Sequence, residues 1–218
     1  SIKKGEKIAI VGESGCGKTT IIDLLLNFFS IDSGIIKIDS ENIKNKNLGK
    51  LRSLFGLISQ DVFLFNDSIA NNISFGNPNI DLDKIIDAAK KANAHEFISK
   101  LENGYNTIIK NQGKNLSSGE KQRISIARAI FGNYPILVFD EATSSLDSKS
   151  SKHIENIINK IDTDQTCIII THKLQSVQNL DRIFVMKDGQ IIEHGSHKLL
   201  INSSKVYQQL YNLEKTHD

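Results

Sequence analysis

Four short stretches decide most of what this chain can fold into: KIAIV at 7–11, LFGLIS at 54–59, PILVFD at 135–140 and TCIIIT at 166–171. Each is apolar almost throughout, with no alternation of polar residues. Successive side chains on a strand point to opposite faces, so a continuous apolar run fits a strand covered on both. Segments of helical pattern separate the runs, which predicts an α/β fold with a mainly parallel sheet. The runs also end alike. The first opens into GESGCGKTT, the second into Gln60, the third into Asp140 and Glu141, the fourth into Thr171 and His172. In open parallel sheets ligands bind beyond the carboxyl ends of the strands. Four polar strand ends therefore predict one shared site.

In GESGCGKT, four residues separate Gly12 from Gly17, Lys18 and Thr19, the spacing of a phosphate-binding loop. Glycines let backbone N–H groups turn inward around phosphates, and the helix that follows points its positive N-terminus at them. A strand before and a helix after set this apart from a mere Gly-rich turn. The nucleotide-contacting residues are then Gly12, Glu13, Ser14, Gly15, Cys16, Gly17, Lys18, Thr19 and Thr20. Lys18 is expected to reach the β- and γ-phosphates, and the Thr19 hydroxyl to coordinate Mg²⁺. Asp140 is expected to hold Mg²⁺ through its water shell. Glu141, on the opposite side of an extended segment, would polarise an attacking water as general base. Gln60 alone reads as an ordinary strand end; beside a Mg-nucleotide site its carbonyl oxygen suits a metal or water ligand. His172, bland by itself, is there placed to hydrogen-bond the γ-phosphate and the water. Cys16 reads as a small filler without a catalytic role. Its place at a helix N-terminus is still expected to make it reactive.

A different puzzle lies in NLSSGEKQRISIARA at 115–129. Ser117 and Glu120 have the spacing of a capping box, which opens a helix. Gly119 then falls in the first helical turn, where Gly costs about 1 kcal/mol relative to Ala. A helix N-terminus presented to a phosphate explains it, because a missing side chain lets the backbone approach closely.

Composition narrows the alternatives. The chain has 218 residues, enough for one large domain or a domain with a subdomain, and a net charge of only +2. Neither the total nor any basic stripe calls for nucleic acid. No apolar run approaches the ~20 residues that cross a bilayer, and no secretory signal is visible. Cys16 and Cys167 form neither a disulfide framework nor a metal spacing, which fits a reducing cytosolic setting. His194 and His197 lack a third ligand, so no metal site is expected there. DRIFVMKDGQIIEHG reads as a hairpin turning at Asp188 and Gly189, and terminal helices follow. The chain starts almost directly at a strand and without Met, so it reads as a piece of a longer protein.

In order and spacing these motifs resemble the ATPases of ABC transporters, over nearly the whole chain. Gly12–Thr19 is similar to a Walker A motif and Ile136–Glu141 to a Walker B. Gln60 resembles a Q-loop, Ser145-Leu146-Asp147 a D-loop, His172 a switch histidine, and LSSGEKQ at 116–122 the signature motif. DVFLFNDSIANNISFG at 61–76 and GYNTIIKNQGKNLSSGEKQR resemble the exporter branch, which moves drugs, lipids and peptides. The resemblance implies a phosphate-loop core at 1–60 and 133–218, an inserted helical subdomain at 61–132, and an antiparallel β portion. It implies ATP and Mg²⁺ as cofactors, Thr19, Gln60 and Asp140 on the metal, and Glu141 and His172 as catalytic residues. It also supplies a wall that the sequence otherwise lacks, since no arginine finger is evident. Two copies would pack head to tail, each lending Ser117, Gly119 and the D-loop Asp147 to the other's ATP. A transmembrane domain, fused upstream, would seat a short helix near Gln60 and the VFLFNDSI segment, at the cytosolic face of a membrane; core packing is the plainer reading of those aromatic residues.

Some positions depart from the family pattern. Ser118 and Glu120 stand where the signature has Gly and Gln, and Lys110 and Asn111 replace a Gly-Glu pair that bears on coupling to the membrane domain. The aromatic residue that stacks on adenine would lie upstream of this chain, which implies weaker nucleotide binding by this stretch alone. Two other readings stay open. A DNA-repair or chromosome ATPase shares this head, but has a long coiled coil between halves that here are contiguous. A silent regulatory half is opposed by Lys18, Glu141 and His172. A GTPase would need Asn-Lys-x-Asp, whereas Asn45-Lys46-Asn47 is followed by Leu48.

Overall fold

The computed structural model describes residues 1–75, 77, 81–143, 148–161 and 164–215. In chain order the strands are β1 (Lys7–Val11), β2 (Lys37–Ile38), β3 (Glu41–Asn42), β4 (Phe55–Ser59), β5 (Ile136–Asp140), β6 (Thr166–Ile170), β7 (Arg182–Lys187) and β8 (Gln190–Gly195). The helices are α1 (Lys18–Leu25), α2 (Leu48–Arg52), α3 (Ile69–Ile73), α4 (Leu82–Lys91), α5 (His95–Ser99), α6 (Ser118–Phe131), α7 (Ser148–Lys160), α8 (His197–Ser203) and α9 (Lys205–Lys215). They build two compact units. One comprises Ser1–Phe55, Pro135–Glu141 and Thr163–Asp218, the other Gly56–Tyr134 and Ala142–Asp162.

Within the first unit the strands lie in the order β5-β6-β1-β7-β8. All neighbours are parallel except β7 and β8, which form an antiparallel hairpin. The register sets Ala9 between Ile169 and Ile183. The continuous apolar runs have the reason expected of them: Ile8–Val11 and the whole of β6 are buried, so residues of either parity need apolar side chains. Ile8, Ile10, Val138, Ile168 and Ile170 share one core with Ile22 and Leu26, Leu51, Phe55 and Met186. Cys167 is buried within β6, and desolvation pushes its thiol up to about 11 despite the opposing charge of Lys7. β2 and β3 pair as a small separate antiparallel ribbon.

The hairpin holds a feature that its sequence does not show. β7 is also a strand of the parallel sheet, with Ile8 to Val11 of β1 registered against Arg182 to Val185. Its turn residues Asp188 and Gly189 both adopt positive φ, 48° and 78°, as a tight two-residue hairpin turn requires.

In the second unit α3 and α4 pack against α6. A polar joint fixes this arrangement. Asn72 is fully buried; its side chain accepts from the Phe65 N–H at 2.8 Å and donates to the carbonyls of Phe65 and Ser68, each at 3.0 Å. Arg128 of α6 donates to the Asn72 carbonyl at 2.7 Å, to its side chain at 3.1 Å and to the Phe63 carbonyl at 3.2 Å. The segment that follows Gln60 is thereby tied to the helix that begins at Ser118.

Candidate functional site

In the first unit, the chain leaving β1 folds over the start of α1. Gly15 and Gly17 adopt left-handed φ of 79° and 101°, and Gly17 is the N-cap of α1 with no side-chain cap bond. The first N–H groups of the helix are thus left for a ligand. Gly12 is required for a different reason. A Cβ there would lie 2.3 Å from the Met186 carbonyl oxygen and 2.8 Å from Cys16 Sγ. The Gly189 N–H donates to the Cys16 carbonyl at 3.1 Å, so the β7–β8 hairpin braces the loop from outside. Neither Met186 nor Gly189 stands out as a site residue in the sequence; only the pairing of β7 with β1 puts them there.

Lys18 is 5% exposed, and its ammonium donates to the carbonyls of Gly12 at 3.0 Å and Glu13 at 2.8 Å, with Cys16 Sγ at 3.9 Å. The loop's own backbone holds the cation at its centre. Glu13, Ser14, Gly15, Thr19 and Thr20 are exposed around it, while Gly12 is buried and Cys16 and Gly17 are partly covered.

The Thr19 hydroxyl donates to Asp140 Oδ1 at 3.4 Å, which joins the start of α1 to the end of β5. Burial raises the Asp140 carboxyl above its ordinary value. Glu141 and Asp23 push the same way, and the Thr19 bond and Lys18 oppose. A desolvated carboxylate beside other acids is stabilised by a cation. The two groups are hard oxygen donors of the kind Mg²⁺ prefers. Among the described residues no group of three or more His, Cys, Asp and Glu forms a cage for a metal. Mg²⁺ keeps waters and shares its shell with substrate phosphates, so it needs few protein ligands. The residues present therefore fit the ion.

Glu141 departs from the extended geometry expected of it. Its φ is 49°, a left-handed value that costs a non-glycine residue roughly 1–2 kcal/mol. A 2.9 Å bond from its N–H to the Ile170 carbonyl helps hold it. The turn, and not strand alternation, aims its side chain. Such conformations cluster where structure serves function. Glu141 Oε2 lies 3.8 Å from Nδ1 of His172, whose side chain is 53% exposed at the end of β6.

The remaining expected residues belong to the second unit. Gln60 is exposed directly after β4. The side chain of Gln122, buried on α6, donates to the Ser59 carbonyl at 3.3 Å and so fixes the strand end that presents Gln60. Ser117 is the N-cap of α6 in a full capping box. Its Oγ accepts from the Glu120 N–H at 3.3 Å, and Glu120 Oε2 accepts from the Ser117 N–H at 2.8 Å and from its hydroxyl at 2.9 Å. Gly119 is buried in the first turn. In the VFLFNDSI segment Leu64 is core, whereas Phe63 and, further on, Phe75 are 53% and 55% exposed. Phe65 stacks on Phe75 at 4.3 Å between centroids, with Phe63 edge-on at 5.0 Å. Asp147 and its neighbours 144–146 lie outside the described residues, as does any cap they give α7.

The chain has wide similarity to proteins of known kind. The sequence profile of the ABC transporter family matches residues 1–144. An ATP-dependent lipid A-core flippase of Saccharophagus degradans is 46% identical over 212 residues, which are 97% of this chain and 36% of that protein. A putative multidrug export ATP-binding/permease protein of Staphylococcus aureus is 44% identical over 214 residues, 98% of this chain and 37% of that protein. The chain thus spans little more than a third of these relatives. A bacterial Atm1-family ABC exporter solved with ATP bound superposes with a TM-score of 0.92 at 38% identity, over 97% of this chain and 37% of that one.

Proposed function

From the premise that this chain belongs to the ABC transporter family, we propose that it is the ATP-hydrolysing domain of an exporter and works as a dimer at the cytosolic face of a membrane. The observation that carries the reading lies in the first unit. Lys18 and Thr19 of the phosphate loop, Asp140, Glu141 and His172 stand at the carboxyl ends of three adjacent parallel strands. The loop N–H groups and Lys18 bind the β- and γ-phosphates of ATP. Thr19 and Asp140 would hold Mg²⁺, and the family resemblance adds Gln60 to its ligands. Bound there, the ion would supply positive charge against the phosphate oxygens. Glu141 takes a proton from water as the water oxygen bonds to the γ-phosphorus. The bond from that phosphorus to the bridging oxygen breaks, leaving ADP and phosphate. His172 orients the water and the γ-phosphate.

The first unit offers phosphate contacts from one direction only, and phosphoryl transfer needs charge stabilisation around the whole group. The N-terminus of α6 from a second chain supplies the rest, through Ser117, the backbone at Gly119 and Asp147. A two-fold arrangement makes the loan reciprocal. Ser117 must then share a hydroxyl that Glu120 already holds. Residues 61–132, within the second unit, serve as the helical subdomain. Exposed Phe63 and Phe75, fixed from behind by Arg128 and Asn72, suit an apolar helix of a membrane domain. Among the described residues no helix is long and apolar enough to cross a membrane. Relatives named as a lipid A-core flippase and a putative multidrug export protein favour an amphipathic cargo. Phosphate release from ATP and Mg²⁺ tests the reading. Glu141→Gln should slow it by roughly 10²–10⁴-fold, and an unchanged rate refutes the assignment.

A further inference from the structure

We propose that α9 is a positioning element for the hydrolytic site, with Glu214 acting as a remote cap on the turn that carries His172. The inference rests on the role given to His172 above. After β6 the chain passes Thr171 and His172 and enters a short 3-10 turn, Leu174–Val177. The opening N–H groups of a helical turn have no partner within it. Its N-cap, Lys173, makes no side-chain cap bond. The acceptors come from forty residues away: Glu214 Oε2 takes the Leu174 N–H at 2.6 Å, and Oε1 takes the Gln175 N–H at 3.4 Å. A carboxylate on two N–H groups at the positive end of a turn is a charge-assisted contact, stronger than neutral bonds.

A second tie lies beside it. Gln178 donates to the Tyr211 hydroxyl at 3.0 Å, and Tyr211 sits one helical turn before Glu214, on the same face of α9. The helix itself is anchored. Tyr207, another turn back, is fully buried, and its hydroxyl bonds Nδ1 of His197 at 2.8 Å at the start of α8. The Tyr207 and Tyr211 rings stack at 6.4 Å, and His197 lies 5.4 Å from Tyr211. His172 is thus held at both sides. Upstream, β6 pairs with β5 and accepts the Glu141 N–H at Ile170; downstream, Glu214 fixes the turn two residues on. Without the cap, the 3.8 Å approach of His172 to Glu141 loses its downstream anchor. α9 also borders the phosphate loop, where Val206, Gln209 and Leu210 line a pocket with Glu13 to Cys16; Tyr211 and Glu214 are not among its lining residues, so nucleotide affinity should stay.

The test uses Glu214→Ala, Glu214→Gln, His172→Ala and the double Ala variant in the full natural chain. Misplacing a reacting group by about 1 Å costs up to roughly a hundredfold, so kcat of Glu214→Ala should fall roughly ten- to a hundredfold. KM for ATP should stay within about twofold of wild type, a split that general destabilisation does not produce. Glu214→Gln, whose amide oxygen still accepts an N–H, should recover most of kcat. On the His172→Ala background, Glu214→Ala should cost nothing further. Wild-type kcat in Glu214→Ala, with activity lost in His172→Ala, overturns the clamp and leaves the hydrolytic reading standing. Normal turnover in His172→Ala overturns both. Amide exchange on the wild-type chain decides the matter if the Ala variant fails to fold: Leu174 and Gln175 N–H must be strongly protected, and rapid exchange at both refutes the cap.

Discussion

Gly12→Ala isolates the packing of the phosphate loop from its chemistry. The added Cβ would sit 2.3 Å from the Met186 carbonyl oxygen and 3.2 Å from its carbon. Comfortable contact begins at about 3.5 Å, so a gap of roughly 1 Å must open. The Cys16 side chain on the other flank can rotate away. The Met186 carbonyl cannot, because it is backbone of β7, locked in register with β1. Overpacking of this kind costs about 1–3 kcal/mol, and a rigid neighbour puts it near the top of that range. For a chain of this size each kcal/mol moves the melting temperature by about 2–4 °C, so Gly12→Ala should melt about 6–12 °C lower. Gly15→Ala is the control. Nothing lies within 4 Å of its Cβ, and only the φ of +79° is at stake. That costs about 1–2 kcal/mol. Calorimetry gives the melting temperatures, and titration with a fluorescent ATP analogue gives binding. Both variants should bind ATP poorly, but Gly12→Ala should lose more stability. Equal melting of Gly12→Ala and wild type, or the reverse order of the two variants, would refute the picture of β7 as the wall behind the loop.

Other expectations follow from the same contacts. Asp140→Asn should abolish phosphate release yet raise thermal stability near neutral pH. The Asp140 carboxyl is raised in the fold, so it binds its proton more readily there than in the unfolded chain. Its contribution to stability is therefore fully present below the ordinary carboxylate range and is lost as pH rises through the raised value. The gain of Asp140→Asn should vanish in acid, and a gain that persists there would contradict it. Asn72→Ala takes from Arg128 one of its three hydrogen bonds and strands the Phe65 N–H, at a cost of about 2 kcal/mol; chemical unfolding measures it, and a loss under about 1 kcal/mol would show that the joint is slack. Gly119→Val should leave ATP binding to a single chain nearly intact and abolish turnover, and normal turnover would give that glycine another purpose.

β1, β5 and β6 were legible because burial on both faces demands unbroken apolar runs; β4 departs from this with Leu57 exposed, and observed bounds differ from the runs by a residue at most. The capping box was legible because Ser117 and Glu120 are three residues apart and act locally. What escaped depends on partners distant in sequence. Met186 reads as one apolar residue of a hairpin, and its role against Gly12 appears only when β7 joins β1. Glu214 lies forty residues from the turn it caps. Gln122 reads as one more polar residue of the signature stretch, yet its partner is the strand end at Ser59. Glu141 was legible as a residue but not as a geometry, since no local pattern announces a left-handed glutamate after a strand.

The central claim is that each ATP is completed by a second chain. The most direct measurement is the size of the Glu141→Gln protein with ATP and Mg²⁺, by gel filtration with light scattering. With hydrolysis blocked, binding energy should hold the two copies together. A dimer should appear with ATP and Mg²⁺ and dissolve without them. A variant that stays strictly monomeric at high protein concentration, with ATP demonstrably bound, would contradict the shared site.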